Sequence, residues 1–294
     1  MATGSMSLGE RLARYRSSVK VIRRVKMAVV YLLLAVFAYL VLIPLVWMVS
    51  TSLKTHDQVF TWPIQWIPNP VVWANYPATL AARPFVMWTR NTLIIACLSV
   101  LGHLFSASVV GYAFSRLRWP GRDIVFLVML STMMLPEQVT LIPQFIVFGK
   151  LGWVNTFLPL FAPTFFGGAF NIFLMRQFMI TLPVELDDAA RLDGCGIFGI
   201  LTRITLPLSK PALGIIAINT FRARWNAFFH PLIYLNDPKL FTLALGLRSF
   251  RSEFAVEWSY LMAASVMAML PLIVTFFIAQ RYFIQGIVFT GVKG

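Results

Sequence analysis

Acidic residues and glycines are concentrated in one segment of the chain, residues 181–213, which reads TLPVELDDAARLDGCGIFGILTRITLPLSKPAL. Pro183 suits the first turn of a helix, and the helix dipole favours negative charge just after it, where Glu185, Asp187 and Asp188 lie. Gly194 permits a turn, after which apolar residues recur at helical spacing: Ile197, Ile200, Leu201 and Ile204. The segment therefore predicts a helix, a tight turn and a second helix outside the bilayer, suited to docking in a cleft of another protein.

A second group of polar residues lies inside otherwise apolar stretches: Glu137, Arg222 and Arg224. Charged side chains at bilayer depth are costly, so they usually face a cavity or a partner. The two arginines are two positions apart and diverge by about 200° on a helix, so they cannot both face one ligand. Together with Trp225 and Asn226, these residues are candidates for the lining of a translocation path.

Other chemistry is not indicated by the sequence. The only Gly-Lys pair, Gly149 and Lys150, is followed by Leu151, so the chain lacks the P-loop pattern that cradles ATP phosphates. The histidines have no metal-ligand spacing, and the two cysteines, Cys97 and Cys195, fall in different predicted environments. We therefore expect no metal site, no disulfide and no ATPase activity in this chain.

The elements that position these residues follow from composition. The chain of 294 residues is 59% hydrophobic and only 12% charged, against about 25% charged in soluble domains. A helix needs about 20 apolar residues to cross a bilayer core of about 30 Å. Six such runs predict an all-α membrane protein: residues 27–50, 92–114, 124–146, 155–178, 206–229 and 260–283.

Basic residues predict the orientation, because short cytoplasmic loops are enriched in Lys and Arg. If the N-terminus is cytoplasmic, sixteen Lys and Arg flank the spans on that side and seven lie outside. We therefore place both termini in the cytoplasm and attribute the net charge of +14 to topology rather than to nucleic-acid binding. Residues 1–26 form a basic cytoplasmic segment, either an amphipathic helix on the inner surface or a solvated tail, and residues 27–294 form the transmembrane domain.

Residues 181–213 resemble the EAA motif of the permeases of binding-protein-dependent ABC importers. The residues that fit the family pattern are Pro183, Glu185, Ala189, Ala190, Asp193, Gly194, Leu206 and Pro207. Three positions depart from it: Asp188 replaces the usual Glu, Cys195 the usual Ala, and Leu201 the usual Phe. Asp188 keeps the charge with a shorter reach, and the apolar changes keep an apolar surface.

The resemblance covers nearly the whole chain from Tyr31 onward and is closest to the carbohydrate-uptake branch, in particular to subunits similar to the maltose permease protein G. The matching segments are Asn91 with Thr92, residues 111–118 (GYAFSRLR), residues 135–143 (LPEQVTLIP), Trp225 with Asn226, Pro231 with Leu232, and residues 281–294.

This resemblance implies a type I ABC importer permease fold in the bacterial inner membrane. It implies a second permease subunit, two cytoplasmic ATP-binding cassette subunits that hold the ATP, and an external solute-binding protein, so the chain needs no cofactor of its own. Residues 289–294 are expected to reach the ATPase, and residues 235–258 the solute-binding protein. The implied ATPase-coupling residues are Glu185, Asp188, Ala189, Ala190, Asp193, Gly194, Leu201 and Pro207, with Asp188 and Asp193 carrying the polar contacts.

The resemblance predicts a sugar or sugar-like solute, and an anionic glycerol-phosphate or phosphodiester solute is the alternative with the same architecture. Three roles stay open for the intramembrane charges. One arginine pairs with Glu137 while the other extends to the outer surface, or one arginine binds an anionic group of the solute, or these side chains hydrogen-bond sugar hydroxyls. An ion-coupled secondary transporter is a third class, but it would have no reason to carry the EAA pattern.

Overall fold

The structure, a computed structural model, describes residues 8–251 and 256–291, and the regular elements in these ranges are helices. Short 3-10 turns and one π-helical turn connect some of them. The helices are α1 Leu8–Ser52, α2 Asn75–Ala82, α3 Phe85–Arg116, α4 Arg122–Ser131, α5 Glu137–Lys150, α6 Leu158–Phe161, α7 Ala169–Ile180, α8 Glu185–Leu192, α9 Ile197–Ile200, α10 Leu206–Leu208, α11 Lys210–Trp225, α12 Phe229–Tyr234, α13 Leu243–Gly246 and α14 Trp258–Gly291.

Four helical stretches are long and apolar enough to cross a membrane by themselves: Ile22–Ser52, Phe85–Arg116, Leu158–Ile180 and Trp258–Ile278. Two further spans are each made of two helices with a sharp bend between them. The bend is 100° between Arg122–Met134 and Glu137–Lys150, and 77° between Ile197–Leu208 and Lys210–Trp225. The total reaches the predicted six when each bent pair counts as one span, but the third and fifth predicted spans are not continuous helices.

The bends occur where the sequence opposes a continuous helix. Leu135 is extended, with φ −76° and ψ 120°, because the ring of a following proline, here Pro136, disfavours the helical conformation of the residue before it. Ser209 separates α10 from α11, and Pro211 lies in the first turn of α11. Of this bent pair, the part after the bend, α11 from Lys210 to Trp225, lies a few residues inside each edge of the predicted fifth span, and the part before the bend, Ile197–Leu208, precedes it.

Helix α3 is the central element and packs against α7 and α11, while α14 packs against α1 and α11. The contact between α3 and α7 is close at Gly111, where an added Cβ would lie only 3.0 Å from the Cβ of Met175. Helix α3 also begins seven residues before the predicted span, at Phe85 rather than residue 92. Asn91 is therefore inside the helix, and its Nδ2 donates to the carbonyls of Lys239 and Phe241 at 2.8 and 3.0 Å.

Buried side chains form separate clusters at the two ends of α3. One end packs Ala107 and Tyr112 of α3 against Met175 and Met179 of α7. The other end packs Phe85 and Trp88 against Trp225, Leu243 and Phe250. The first cluster lies beside residues 181–213, so this predicted polar segment packs against the end of the helix bundle.

Two helical regions remain on the outside of the chain. None of the most apolar window of Ile22–Ser52 is buried, and in α4 and α5 only Phe126 is buried. Apolar surfaces of this size need lipid or another protein chain to cover them. Helix α1 runs unbroken from Leu8 to Ser52, so the backbone does not test the predicted boundary at residue 26 between the cytoplasmic segment and the transmembrane domain. Residues 292–294 of the predicted ATPase-contacting tail lie outside the described residues.

Candidate coupling surface and translocation path

Residues 183–208, which we call the knob, form a compact helix-turn-helix unit at one end of the bundle. Helix α8 ends in a Schellman turn, in which the N–H of Cys195 donates to the carbonyl of Ala190 at 2.9 Å and the N–H of Gly194 donates to that of Arg191 at 3.0 Å. Gly194 has φ +80°, a conformation that other L-residues adopt only with strain. The predicted helix, tight turn and second helix are therefore confirmed.

Helix α8 has one face toward the bundle and one face toward solvent. Asp187 and Ala190, three positions apart, are buried, with 2% and 8% of their surfaces exposed. The outer face carries exposed residues of the motif: Glu185, Asp188, Ala189, Asp193 and Gly194. Exposed apolar side chains adjoin them, since Leu192 is 90% exposed and Phe198 76%. This combination of carboxylates and large apolar side chains is available to a partner protein.

The predicted apolar face of the second helix is divided between the bundle and the surface. Ile197 is exposed, but Ile200 and Leu201 are buried against Tyr112 and Met175. Leu201 therefore offers no exposed surface to the ATPase in this chain, because its helical face packs into the end of the bundle, and its predicted part in coupling stays a prediction. Ala190 is likewise a packing residue, whereas Pro207 is exposed in the short helix α10.

Asp188 forms only a weak contact within the chain. Its Oδ1 accepts a hydrogen bond from Nη1 of Arg191 at 3.4 Å, and the two side chains are 60% and 50% exposed. Exposed pairs of this kind contribute about 0–1 kcal/mol to stability. The Asp188 carboxylate is therefore free to exchange Arg191 for a cation of a docking partner.

Glu137 lies at the bend between α4 and α5 and contacts a histidine of α12. Glu137 is the first residue of α5, and its Oε1 lies 3.1 Å from Nε2 of His230 in α12. The Glu137 side chain is 67% exposed and that of His230 is 23% exposed. His230 stacks on Tyr234 with an angle of 9° between the rings. One polar contact thus joins the third span to the segment that follows the fifth.

Arg222 and Arg224 differ in their surroundings. Arg222 is exposed, whereas Arg224 is half-buried and near enough to Glu137 for the two charges to attract. Among the described residues, neither guanidinium lies within the 4.0 Å of an ion pair with Glu137, whose partner is His230. The interpretation that an arginine pairs directly with Glu137 is therefore wrong for this conformation.

Trp225 and Asn226 also differ in their exposure to solvent. Trp225 is only 3% exposed, its Nε1–H donates to the carbonyl of Ala268 at 3.0 Å, and its ring stacks on Phe221. It packs α11 against α14 and does not face a path. Asn226 is exposed, and its Nδ2 donates to the carbonyl of Arg222 at 2.9 Å.

Sequence reasoning missed three residues of these two regions. His230 was set aside as an isolated histidine, although the break after α11 brings it to Glu137. Arg116 and Asp187 form a buried ion pair between α3 and α8, with 3.6 Å between Nε and Oδ2. The spacing of Asp187 and Ala190 was an available signal, because it places both on the same face of a helix. Within the described ranges, no three His, Cys, Asp or Glu side chains are arranged to hold a metal ion.

The bundle of straight and broken apolar spans, with an exposed knob at one end and polar side chains at a bend, is that of a multi-pass membrane protein with a surface available to a partner. Residues 105–288 match the profile of the binding-protein-dependent transport system inner membrane components. The chain belongs to this family. It is therefore a permease subunit of the inner membrane and not the ATPase of its transport system.

Relatives and a solved structure extend this similarity along the chain. The arabinooligosaccharides transport system permease protein AraQ of Bacillus subtilis is 37% identical, over 71% of this chain and 74% of its own length. The sn-glycerol-3-phosphate transport system permease protein UgpE of Yersinia pestis is 32% identical, over 88% and 94%. A chain of a bacterial ABC transporter involved in import of the acidic polysaccharide alginate superposes with TM-score 0.77 and 25% identity, covering 96% of this chain and all of that one.

Proposed function

We propose that this chain forms one half of the translocation path of an ATP-driven importer for a sugar or sugar-like solute. The knob is the observation that carries the proposal, because it presents exposed carboxylates and exposed large apolar side chains on a unit fastened to the central helix α3. In this reading, two ATP-binding cassette subunits receive the knob in the cytoplasm. They bind and hydrolyse the ATP, and this chain requires no cofactor.

The polar contacts with the ATPase are assigned to Glu185, Asp188 and Asp193, which lie on the outer side of α8 and its turn. Leu192 and Phe198 supply the apolar part of the same surface. Gly194 sets the turn that holds the two halves of the knob together. Each of these features is separate from the buried face, so docking requires no unfolding of the permease.

A second permease subunit would cover apolar surface that this chain leaves exposed, above all on α5, none of whose residues is buried. The polar residues at the bend lie on the same exposed side of the chain as α5, because Glu137 and Gln138 are exposed at the start of that helix. Since exposed charges at this depth cannot face lipid without cost, we place the path between the two permease subunits. Glu137, Arg222, Arg224, Asn226 and His230 line it from this side.

The broken spans give this path a means of opening. At a bend, backbone groups leave the regular helical ladder and can be satisfied by a polar cavity. The bend at Pro136, within the third span, and the bend at Ser209, between the knob and α11, let the parts on either side change their angle while the straight helices stay packed. In the proposed cycle, closure of the ATPase pair displaces the knob and opens the path outward. Hydrolysis returns it to the inward-open state.

An anionic solute is the second candidate, and the exposed Arg222 together with the half-buried Arg224 favours it. A guanidinium binds phosphate or carboxylate through paired hydrogen bonds. The relative UgpE is named for glycerol-3-phosphate, and the superposed alginate transporter handles an acidic polysaccharide. Glu137 argues the other way, since its carboxylate repels an anion and instead accepts hydrogen bonds from hydroxyl groups.

Both termini are placed in the cytoplasm, with an extracytoplasmic solute-binding protein on the opposite side. Residues 235–258 are the proposed contact for that protein, although residues 252–255 lie outside the described ranges. The excess of Lys and Arg in the loops on the predicted cytoplasmic side supports this orientation. The proposed contact of the knob with a cytoplasmic ATPase supports it as well.

Co-purification tests the central proposal. The chain is expressed with candidate ATP-binding cassette and permease subunits, purified through a tag on this chain, and assayed for ATP-dependent uptake in proteoliposomes. We expect an ATPase subunit to co-elute, and we expect uptake to require ATP. Stable, active transport by this chain with no ATPase partner, or uptake driven by an ion gradient alone, would overturn the proposal in favour of a secondary transporter.

The solute is identified separately on the solute-binding protein. Thermal unfolding of that protein is measured with neutral oligosaccharides and with sugar phosphates or uronates, because ligand that binds only the folded state raises its midpoint. A shift with neutral sugars supports the first candidate. A shift confined to anionic compounds supports the second.

A further inference from the structure

Arg116 is the last residue of the central helix α3, and its side chain hydrogen-bonds the C-terminal end of the neighbouring helix α7. Its Nη2 donates to two carbonyl oxygens, that of Met179 at 2.9 Å and that of Leu182 at 2.8 Å. These carbonyls belong to the C-terminal end of α7 and the residues just after it, where the regular helical hydrogen bonds end, and that of Met179 also accepts the N–H of Leu182 at 3.3 Å. A single guanidinium therefore ties the end of α3 to the end of α7.

The same guanidinium also contacts the knob. Its Nε lies 3.6 Å from Oδ2 of Asp187, and the two side chains are 7% and 3% exposed. This separation is that of an ion pair rather than a hydrogen bond. Three elements, α3, α7 and α8, thus meet at one side chain.

The other acid-base pairs on this side of the bundle are different. Asp188 with Arg191 and Asp123 with Arg122 are sequence neighbours, within one helix, and have at least one side chain more than half exposed. Among the described residues, only the Arg116 and Asp187 pair is buried and joins the knob to a membrane-spanning helix. Burying two charges carries a desolvation penalty that an apolar pair of similar volume would avoid.

The fixed orientation of the ion pair gives a reason for the desolvation penalty of burying it. Apolar side chains such as Ala190, Leu201 and Tyr112 also join the knob to the bundle, but dispersion contacts are non-directional and permit neighbouring surfaces to slide. A planar guanidinium held by two carbonyls and a carboxylate has a fixed orientation. Helix α8 cannot shift along α3 without separating a buried charge from its partner.

We propose that Arg116 and Asp187 form a positioning latch that carries movement of the knob to α3, and through α3 to the polar residues of the path. The inference rests on the proposed coupling function of the knob. Neither residue is assigned a contact with ATP, the ATPase or the solute. The latch acts by making α8 and the end of α3 move as one body.

The test uses the complete complex with its ATPase and partner subunits in nanodiscs, and its probe is MgATP with vanadate. A Cys97→Ser and Cys195→Ala background receives one reporter, Asn226→Cys, at the exposed end of α11, which packs on α3. Its rate of labelling by a water-soluble maleimide is measured with and without vanadate trapping. We expect trapping to change the rate by at least about fivefold in this reference complex.

Two variants remove the latch in different ways. Asp187→Asn removes the charge with almost no change in shape. The double variant Arg116→Gln with Asp187→Asn removes both charges and keeps a side-chain amide that can donate to the α7 carbonyls, so it avoids an unpaired buried charge. Asp123→Asn makes the same chemical change in an exposed pair and is the matched control. We expect both latch variants to bind the ATPase and trap nucleotide normally, with the labelling response lost, while Asp123→Asn keeps it.

The outcomes separate the latch from a purely structural role. If the double variant recovers both accumulation and the labelling response, the pair serves stability alone and the latch is overturned. An undiminished response in Asp187→Asn has the same meaning. If Asp187→Asn does not accumulate, the double variant decides. A reference complex that fails to bind the ATPase counts against the proposed function instead, and is recognised before any variant is compared.

Discussion

The knob and the polar residues at the bend are both hydrophilic regions of an apolar chain, yet they are built in opposite ways. The knob is continuous in sequence, and a local turn at Gly194 shapes it. The bend site joins Glu137 of the third span to His230 after the fifth, so its geometry exists only in the folded bundle. The surface proposed to dock the ATPase is therefore local in sequence, whereas the proposed path must be assembled from several spans.

The two regions also use charge differently. The knob buries one acidic side chain, Asp187, and exposes the next, Asp188, so adjacent residues serve the bundle and the surface. Among the candidate path residues, Glu137 and Arg222 are exposed and Arg224 is half-buried. Substitutions at the knob should therefore affect partner binding, whereas substitutions at the bend should affect transport with the ATPase still bound.

The largest effect is expected from charge placed on the apolar surface of the knob. The double substitution of Leu192 and Phe198 by Asp should weaken ATPase binding by about 100-fold or more, because central apolar side chains of an interface often contribute 2 kcal/mol or more each. Since these side chains are 90% and 76% exposed, the permease should unfold at an unchanged temperature. Affinity is measured by titrating the ATPase onto immobilised permease.

Leu201→Ala is the matched control on the buried side of the same knob. Leu201 is 4% exposed, so its truncation should cost about 2–5 kcal/mol of permease stability. Any loss of ATPase binding should then follow the loss of folded protein. Unchanged ATPase affinity in the Leu192 and Phe198 variant would contradict the assignment of the exposed face.

The next effect concerns the bend. Arg224→Ala should reduce transport by about 10-fold to 100-fold, the range for losing a hydrogen bond to a charged group, and should leave ATPase binding unchanged. Uptake and ATPase co-elution are measured on the same preparation. Normal transport by a stable Arg224→Ala protein would exclude Arg224 from solute binding, and Arg222→Ala then tests the neighbouring guanidinium.

A smaller effect is expected from the contact between the spans. Glu137→Gln and His230→Gln should each slow uptake by about threefold to tenfold, because each removes one charge-assisted partner from a partly exposed contact. The double variant should be no worse than the more impaired single variant if the two side chains act as a pair. Additive losses would show that they act independently.

The smallest effect is expected from Asp188→Ala. Asp188 is exposed and is only one of the polar groups on the knob, so solute-stimulated ATP hydrolysis of the assembled complex should fall by about twofold to fivefold. Asp188→Glu, which restores the residue usual in the family, should retain the full rate. If Asp188→Ala leaves stimulation unchanged, docking relies on the apolar surface and the carboxylate does not couple the two halves.

Much of the fold followed from the sequence because its signals are local. Apolar runs predicted six spans, Pro183 and the acids after it predicted the start of α8, and Gly194 predicted the turn. The same local reasoning did not give the angles at Pro136 and Ser209, because proline opposes a straight helix without specifying how the chain continues. It also assigned Leu201 and Trp225 to functional surfaces, although both pack inside the chain.

Hydrophobic run length, loop charge and the EAA spacing were enough to identify a membrane permease with a polar helix-turn-helix segment, because these signals need no knowledge of distant contacts. The contacts between polar side chains, in contrast, can be read only from the folded chain. Asp187 turns inward to Arg116 while Asp188 faces solvent, and Glu137 meets His230 rather than an arginine. The physical reason is that a charge is placed by the packing of whole helices, which depends on contacts between residues far apart in the chain.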